Sequence, residues 1–376
     1  MNTLFLIITL LCYIIYSTFD PSIPSEGEFM KYITYVMLFL ITSINIIKNK
    51  AFFLKYYRWF ILLFFLLLYL HFKMTEDDLL ITFIPFFIFL NLTSASVSKY
   101  NVKLLSLFFF VFYVLLILFD YKEMLRCIFS SDYEDGWEII FYNSNVASIF
   151  ICSVFCATYL FMQNKLLTKI SFILIVVGLL ACKSRNALLF FVIVNSFLFF
   201  KPWLINKQKY LPLLIMLFLL CALYYMIIVE PYLVNLSSVS LFGKSEGSTG
   251  RALQILFVIQ NFDISLWGSG RSLINEAVTD EVSYVIHNLY INTLYAMGLL
   301  YFLFYLYFIS KFYIYLKNYE SRVFLLSFHV YFFFETGVAL GFAFNYFLPM
   351  MIVAYSALNQ VEFKLDKKYE NHNRIF

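Results

Sequence analysis

Charge is what this sequence has least of. Of its 376 residues only 13% are Asp, Glu, Lys or Arg, roughly half the share of an ordinary soluble domain, while 62% are hydrophobic and 22% aromatic. That scarcity argues against a water-exposed globular fold and leaves no stretch for a separate soluble catalytic domain. Cysteine supplies no scaffold either. Cys12, Cys152, Cys156, Cys182 and Cys221 fall in apolar runs, and Cys127, the one outside them, has no counterpart, so a disulfide framework is excluded. Cys152 and Cys156 share a helix face, but two thiols without His or further Cys make a poor metal site, and packing accounts for them. No internal repeat is visible. No basic segment precedes Leu4 and no small-residue cleavage pattern precedes Asp20, so the start reads as an uncleaved apolar span. The alternation of a barrel strand is missing as well.

What the chain does have is apolar runs. Twelve of them centre near residues 3–19, 30–47, 56–72, 79–95, 104–119, 139–162, 170–182, 187–200, 210–229, 288–309, 323–340 and 343–358. A membrane core of ~30 Å needs about 20 apolar residues per helix, so the expected fold is all-α, a polytopic integral membrane protein with about 12 transmembrane helices. The charges sort by loop. Eighteen of the 27 basic residues, among them Lys48, Arg58, Lys103, Lys169, Lys207, Lys317 and Lys368, fall in alternate connections or the tail, and 18 of the 23 acids fall in the opposite ones. By the positive-inside rule both termini are expected to be cytoplasmic. The expected divisions are N-terminal helices 1–135, central helices 136–229, a long outer loop 230–286 containing short helices, C-terminal helices 287–358 and a cytoplasmic tail 359–376.

Three features on the outer side point to chemistry. Lys183-Ser184-Arg185-Asn186 puts two positive charges between apolar runs where no carboxylate is near in sequence, with Ser184 a suitable N-cap and Arg185 in the first turn that follows. Gly247-Ser248-Thr249-Gly250-Arg251 repeats that arrangement before the apolar run Ala252 to Ile259, and a Gly268-Ser269-Gly270 turn then precedes Arg271. His287-Asn288 opens the tenth run, where a histidine of near-neutral pKa is a candidate proton acceptor. The plainer readings are a snorkelling arginine, ordinary loop residues and a satisfied histidine. Together, two guanidiniums beside exposed helix N–H groups would suit a diphosphate, and a base beside a diphosphate suggests group transfer with the diphosphate leaving.

In their order and spacing over about 155 residues these motifs resemble those of the O-antigen polymerase and O-antigen ligase superfamily of bacterial envelope glycosyltransferases. The corresponding residues are Asn143-Ser144-Asn145-Val146-Ala147, Ser184-Arg185-Asn186-Ala187, Thr249-Gly250-Arg251, Gly268-Ser269-Gly270, His287-Asn288-Leu289-Tyr290 and Gly298-Leu299-Leu300. Departures from the pattern are Ser144 for a proline, Asn186 for a glycine, Arg271 for a small or apolar residue and Tyr301 for a second glycine. The resemblance implies an inverting glycosyltransferase of the bacterial inner membrane, with its site on the periplasmic side. Donor and acceptor would be undecaprenyl-diphosphate-linked oligosaccharides, with no cofactor, no metal and no nucleic acid. Membrane lipid and a protein regulating chain length would be further partners.

On that resemblance Arg185 and Arg251 bind the diphosphate and stabilise its developing charge, and His287 positions or deprotonates the acceptor hydroxyl. Asn145 and Asn288 shape the site, and Arg271 and Lys183 are further candidates for phosphate or glycan. Glu335, a carboxylate inside an apolar run, is expected to pair with an arginine or share the base role. The implied activity is that of an O-antigen polymerase, with an O-antigen ligase acting on lipid A-core as the alternative. A flippase for lipid-linked oligosaccharides is the competing class; the single large outer loop, the missing repeat and the outer position of the charges speak against it.

Overall fold

A computed structural model describes residues 24–48, 50–74, 99–130, 136–139, 141, 144–162, 165–229, 249–282, 287–334, 348–354 and 356. Their regular structure is helical throughout. In chain order the helices are α1 (Pro24–Lys48), α2 (Lys50–Met74), α3 (Lys99–Phe129), α4 (Ser144–Phe161), α5 (Lys165–Cys182) and α6 (Arg185–Phe199). A single turn at Lys201–Leu204 and a 3-10 segment at Ile205–Tyr210 lead into α7 (Leu211–Tyr224), which ends in a π turn, Tyr225–Val229. Next come α8 (Thr249–Asn261), α9 (Arg271–Val282), the four-residue α10 (Leu289–Asn292) with its π turn Thr293–Met297, α11 (Leu299–Tyr315) and α12 (Tyr319–Phe333).

The expectation of about 12 transmembrane helices does not hold. Among the described residues two helices are long and apolar enough to cross a membrane, Ser144–Phe161 and Lys201–Tyr224. The first of these is 72% buried inside the protein itself. Tyr35–Lys48, Leu166–Cys182, Arg185–Phe199 and Leu299–Tyr315 are apolar but shorter. An apolar run reports only that something other than water covers it, and a packed helix core satisfies that as well as lipid does. α12 illustrates the point: its 15 residues, about 22 Å of helix against a core of ~30 Å, are buried on every side. The run expected over 288–309 is interrupted at Gly298, where φ is 88°. The runs at 3–19 and 79–95 lie outside the described residues. With the twelve spans goes the topology inferred from them, a multi-pass inner-membrane protein with cytoplasmic termini and a periplasmic loop.

α4 is the centre of the largest apolar cluster, and α3, α5, α6 and α12 pack around it. Short side chains let these helices approach closely. Ser106 on α3 donates to the carbonyl of Ala157 on α4 at 3.1 Å, and Tyr113 on α3 donates to that of Leu174 on α5 at 2.8 Å. Tyr113 is wholly buried because Gly178 leaves room for it; a Cβ there would collide with the phenol oxygen. α3 kinks at Asp120, whose carboxylate accepts from the buried Trp137 indole at 2.7 Å. Trp137 also donates its backbone N–H to the carbonyl of Ala181 at 2.9 Å, which holds it against the end of α5.

α6 and α12 run antiparallel and are fastened at both ends. At the start of α12, Lys201 and Glu320 form an ion pair at 2.5 Å and Tyr319 donates to the carbonyl of Phe197 at 2.8 Å. Midway the rings of Phe190 and Phe328 lie 4.6 Å apart. At the far end Asn186 donates to the carbonyl of Phe334 at 3.1 Å. This last contact marks the end of the bundle where the candidate residues gather.

Gly178→Ala should destabilise the fold by about 1–3 kcal/mol, the usual cost of overpacking a filled core, as read by denaturant unfolding. Adding Tyr113→Phe should recover part of that loss by removing the colliding oxygen; an equal or greater loss in the double variant would refute the packing argument.

Candidate functional site

Asn145 lies in the first turn of α4, half-buried, and its carboxamide Oδ1 accepts from Ser184 Oγ at 3.0 Å. Its backbone carbonyl is shared by Ser148 Oγ at 2.8 Å and the Tyr331 phenol at 2.9 Å, with 3.0 Å between those two hydroxyls. Three helices therefore meet here: the starts of α4 and α6 and the end of α12. Ser184 occupies the N-cap position of α6 with extended backbone, yet its side chain makes no cap bond. The hydroxyl is spent on Asn145 instead, so the expected capping role becomes a crosslink between helices.

Arg185 is half-buried in the first turn of α6. Beside it Asn186, 7% exposed, holds the carbonyl of Phe334. A helix end leaves its last carbonyls without intrahelical donors, and a carboxamide from a neighbouring helix meets that need. The residue that departs from the resembled pattern thus ties Arg185's helix to α12. Lys183 has a left-handed φ of 51° and reaches back to the carbonyl of Ser130 at 3.1 Å. That ammonium ties Ser130, just after α3, to the turn before α6.

His287 is half-buried, and its backbone N–H donates to Gln254 Oε1 at 3.1 Å. Asn288, wholly buried, caps α10: its Oδ1 accepts from the N–H groups of Tyr290 at 3.1 Å and Ile291 at 3.0 Å. Such a cap contributes about 1 kcal/mol. Tyr290 then lies against α12, its hydroxyl 3.4 Å from the carbonyl of His329 and its ring 6.0 Å from Phe333. Arg251 is the third residue of α8, one turn before Gln254; its side chain lies outside the described residues, as do Ser248 and Glu335. α8 reaches the same place, since Ile255 packs with Phe333, Phe334 and Tyr290 in one apolar cluster.

The structure thus brings the helix starts of Asn145, Arg185, His287 and Asn288, together with the first half of Arg251's helix, around Tyr331–Phe334 at the end of α12. Arg271 stands apart, at the start of α9. Burial lowers its pKa, and its Nε has no hydrogen-bond partner among the described residues.

Arg271 follows a knot formed by the two glycine motifs. Ser269 and Gly270 donate to the carbonyls of Tyr295 and Ala296 at 2.9 and 3.0 Å, acceptors exposed by the π turn before Gly298. Leu299 donates back to Ser265 at 2.9 Å, and the Tyr69 phenol reaches the carbonyls of Trp267 at 2.6 Å and Met297 at 2.8 Å. A Cβ on Gly268 would strike the backbone at Ala296, and one on Gly298 would strike that at Leu266 and Gly268. Gly-x-Gly and Gly-Leu-Leu, far apart in sequence, are halves of one contact.

The chemistry available at the α12 end is clear in outline. The N–H groups at the start of α6 and the Arg185 guanidinium carry positive charge that favours an anion, and His287, just before α10, supplies an imidazole at the same end of α12. Among the described residues no group of three or more His, Cys, Asp or Glu could hold a metal ion. Sequence reading passed over Gln254, Tyr331 and Trp137. For Gln254 a signal existed, a carboxamide inside the apolar run Ala252 to Ile259. Compared with known protein families, with curated proteins and with solved structures, the chain matches none.

Gly298→Ala should cost roughly 3 kcal/mol or more in unfolding experiments, because left-handed strain adds to a backbone collision. Gly270→Ala should cost only about 1–2 kcal/mol, since its φ is 93° but its Cβ would stop 3.7 Å from the nearest atom, the Lys73 carbonyl. The reverse order would show that the knot is not the tight contact described.

Proposed function

We propose that the chain is an inverting glycosyltransferase that moves a growing glycan from a polyprenyl diphosphate to a hydroxyl of a second lipid-linked repeat unit. The acceptor oxygen attacks the anomeric carbon from the face opposite the diphosphate, the carbon–oxygen bond to phosphate breaks, and its electron pair leaves on the diphosphate. His287 takes the hydroxyl proton. Arg185 and Arg251 hold the diphosphate and stabilise the charge that grows on it. Asn145 and Asn288 act as positioning residues, one locking Ser184 and so the start of α6, the other capping α10. Arg271, at the start of α9, is a further candidate for phosphate or glycan.

The observation that carries this reading is the gathering of the Asn145, Arg185, Arg251 and His287 elements around one helix end, in the motif order of the resembled superfamily. Apolar surface for a prenyl tail adjoins it. Leu223 and Ile227, at the end of α7, pack in the cluster that holds Ile255 and Phe333, and along α7 Leu213, Leu214, Met216, Leu217 and Leu220 are exposed.

The test uses the purified full chain with synthetic polyprenyl-diphosphate-linked repeat units and reads glycan length by mass spectrometry. Longer glycans should form. His287→Ala should lower turnover about 10²–10⁴-fold, the usual contribution of a general base. Arg185→Ala and Arg251→Ala should each lower it about 10²–10³-fold, as losing a donor to a developing anion does. Elongation unchanged in His287→Ala and Arg251→Ala would overturn the proposal.

A further inference from the structure

We propose that Gln254 is a positioning residue that sets the base His287 and the diphosphate-binding Arg251 as one unit. The inference rests on the glycosyl-transfer reading for the roles of those two residues; the contact itself is independent of it. Gln254 is 2% exposed in a helix whose neighbouring residues are apolar, so its carboxamide is costly to bury unless it is used. It is used across 33 positions of sequence, its Oε1 accepting the backbone N–H of His287 at 3.1 Å. That N–H lies one residue before the cap of α10.

The geometry makes Gln254 a hinge pin between two motifs. Arg251 lies three residues earlier, so one turn of helix separates the arginine from the bond that fixes the histidine's backbone. The next residue, Ile255, packs with Phe333 and Phe334, and the carbonyl of Phe334 is held by Asn186 beside Arg185. A continuous path therefore runs from Arg185 through the end of α12 and the middle of α8 to His287. Neither the start of α6 nor the backbone at His287 can shift without breaking one of these contacts. The function of this arrangement is to fix the separation between leaving-group charge and acceptor base, which is the distance an in-line displacement depends on.

Gln254→Met keeps the length of the side chain and removes the acceptor; Gln254→Glu keeps the acceptor. With lipid-linked repeat units as substrate, Gln254→Met should lower kcat roughly 10–100-fold, the scale of a small misplacement of reacting groups, while KM for the donor changes little. Gln254→Glu should restore most of the loss. If Met and Glu are equally damaging, or if kcat is unchanged in Gln254→Met, the proposal is overturned. Amide hydrogen exchange of the unliganded full chain supplies a readout that needs no activity. Gln254→Met should speed exchange at His287 and through Thr249–Leu253 relative to the unaltered chain, and unchanged exchange overturns the linkage. Absence of transfer by the unaltered chain, with exchange still accelerated in Gln254→Met, would remove the glycosyl-transfer reading and leave the linkage standing.

Discussion

Backbone groups at the ends of helices have no partner within their own helix, and in this protein carboxamide side chains meet that need from one helix to the next. Asn186 supplies the donor for the carbonyl of Phe334 after α12, Gln254 the acceptor for the N–H of His287 before α10, and Asn288 the acceptors for α10's own first turn. Asn145 completes the set by taking the Ser184 hydroxyl at the start of α6. Each bond is modest, on the order of 1 kcal/mol net, but breaking one leaves a buried polar group unmatched and costs more than the bond contributes. The constraint is therefore stiff in the sense that matters for a site: the helix starts cannot slide independently.

Charge plays its part on this neutral frame. The antiparallel pair α6 and α12 is closed at one end by Lys201 and Glu320 and at the other by Asn186, with the Phe190–Phe328 contact between. The ionic end is a clasp. The carboxamide end, where no neighbouring carboxylate claims it in sequence, carries Arg185. The glycine knot between residues 265–270 and 295–300 supports the same arrangement from the other side, since it fixes where α11 begins and where α9, with Arg271, emerges.

The sequence made some of this readable and concealed the rest for definite reasons. The starts of the helices at Ser144, Arg185, Thr249 and Leu289 follow from polar or small residues set before apolar runs. Hydropathy misled on the fold, because Tyr319–Phe333 and Ser144–Phe161 are apolar in order to be covered by protein, and a composition count cannot see what does the covering. Asn186 read as a departure from a pattern when it is a crosslink, and Ser184 as a cap when it bonds sideways to Asn145. Gln254 was hidden by its apolar neighbours, and Lys183's engagement with Ser130 by a separation of 53 positions. Pairing across long separations is the information a single sequence does not display.

The central claim is that Arg185 and Arg251, 66 positions apart by their numbering, serve one anion. Equilibrium binding of farnesyl diphosphate to the full chain and to Arg185→Ala, Arg251→Ala and the double variant tests it most directly. A shared site predicts that each single variant weakens binding by about tenfold, the worth of one charge-assisted contact, and that the double variant loses less than the product of the two because they are coupled. Affinity unchanged in either single variant would contradict it.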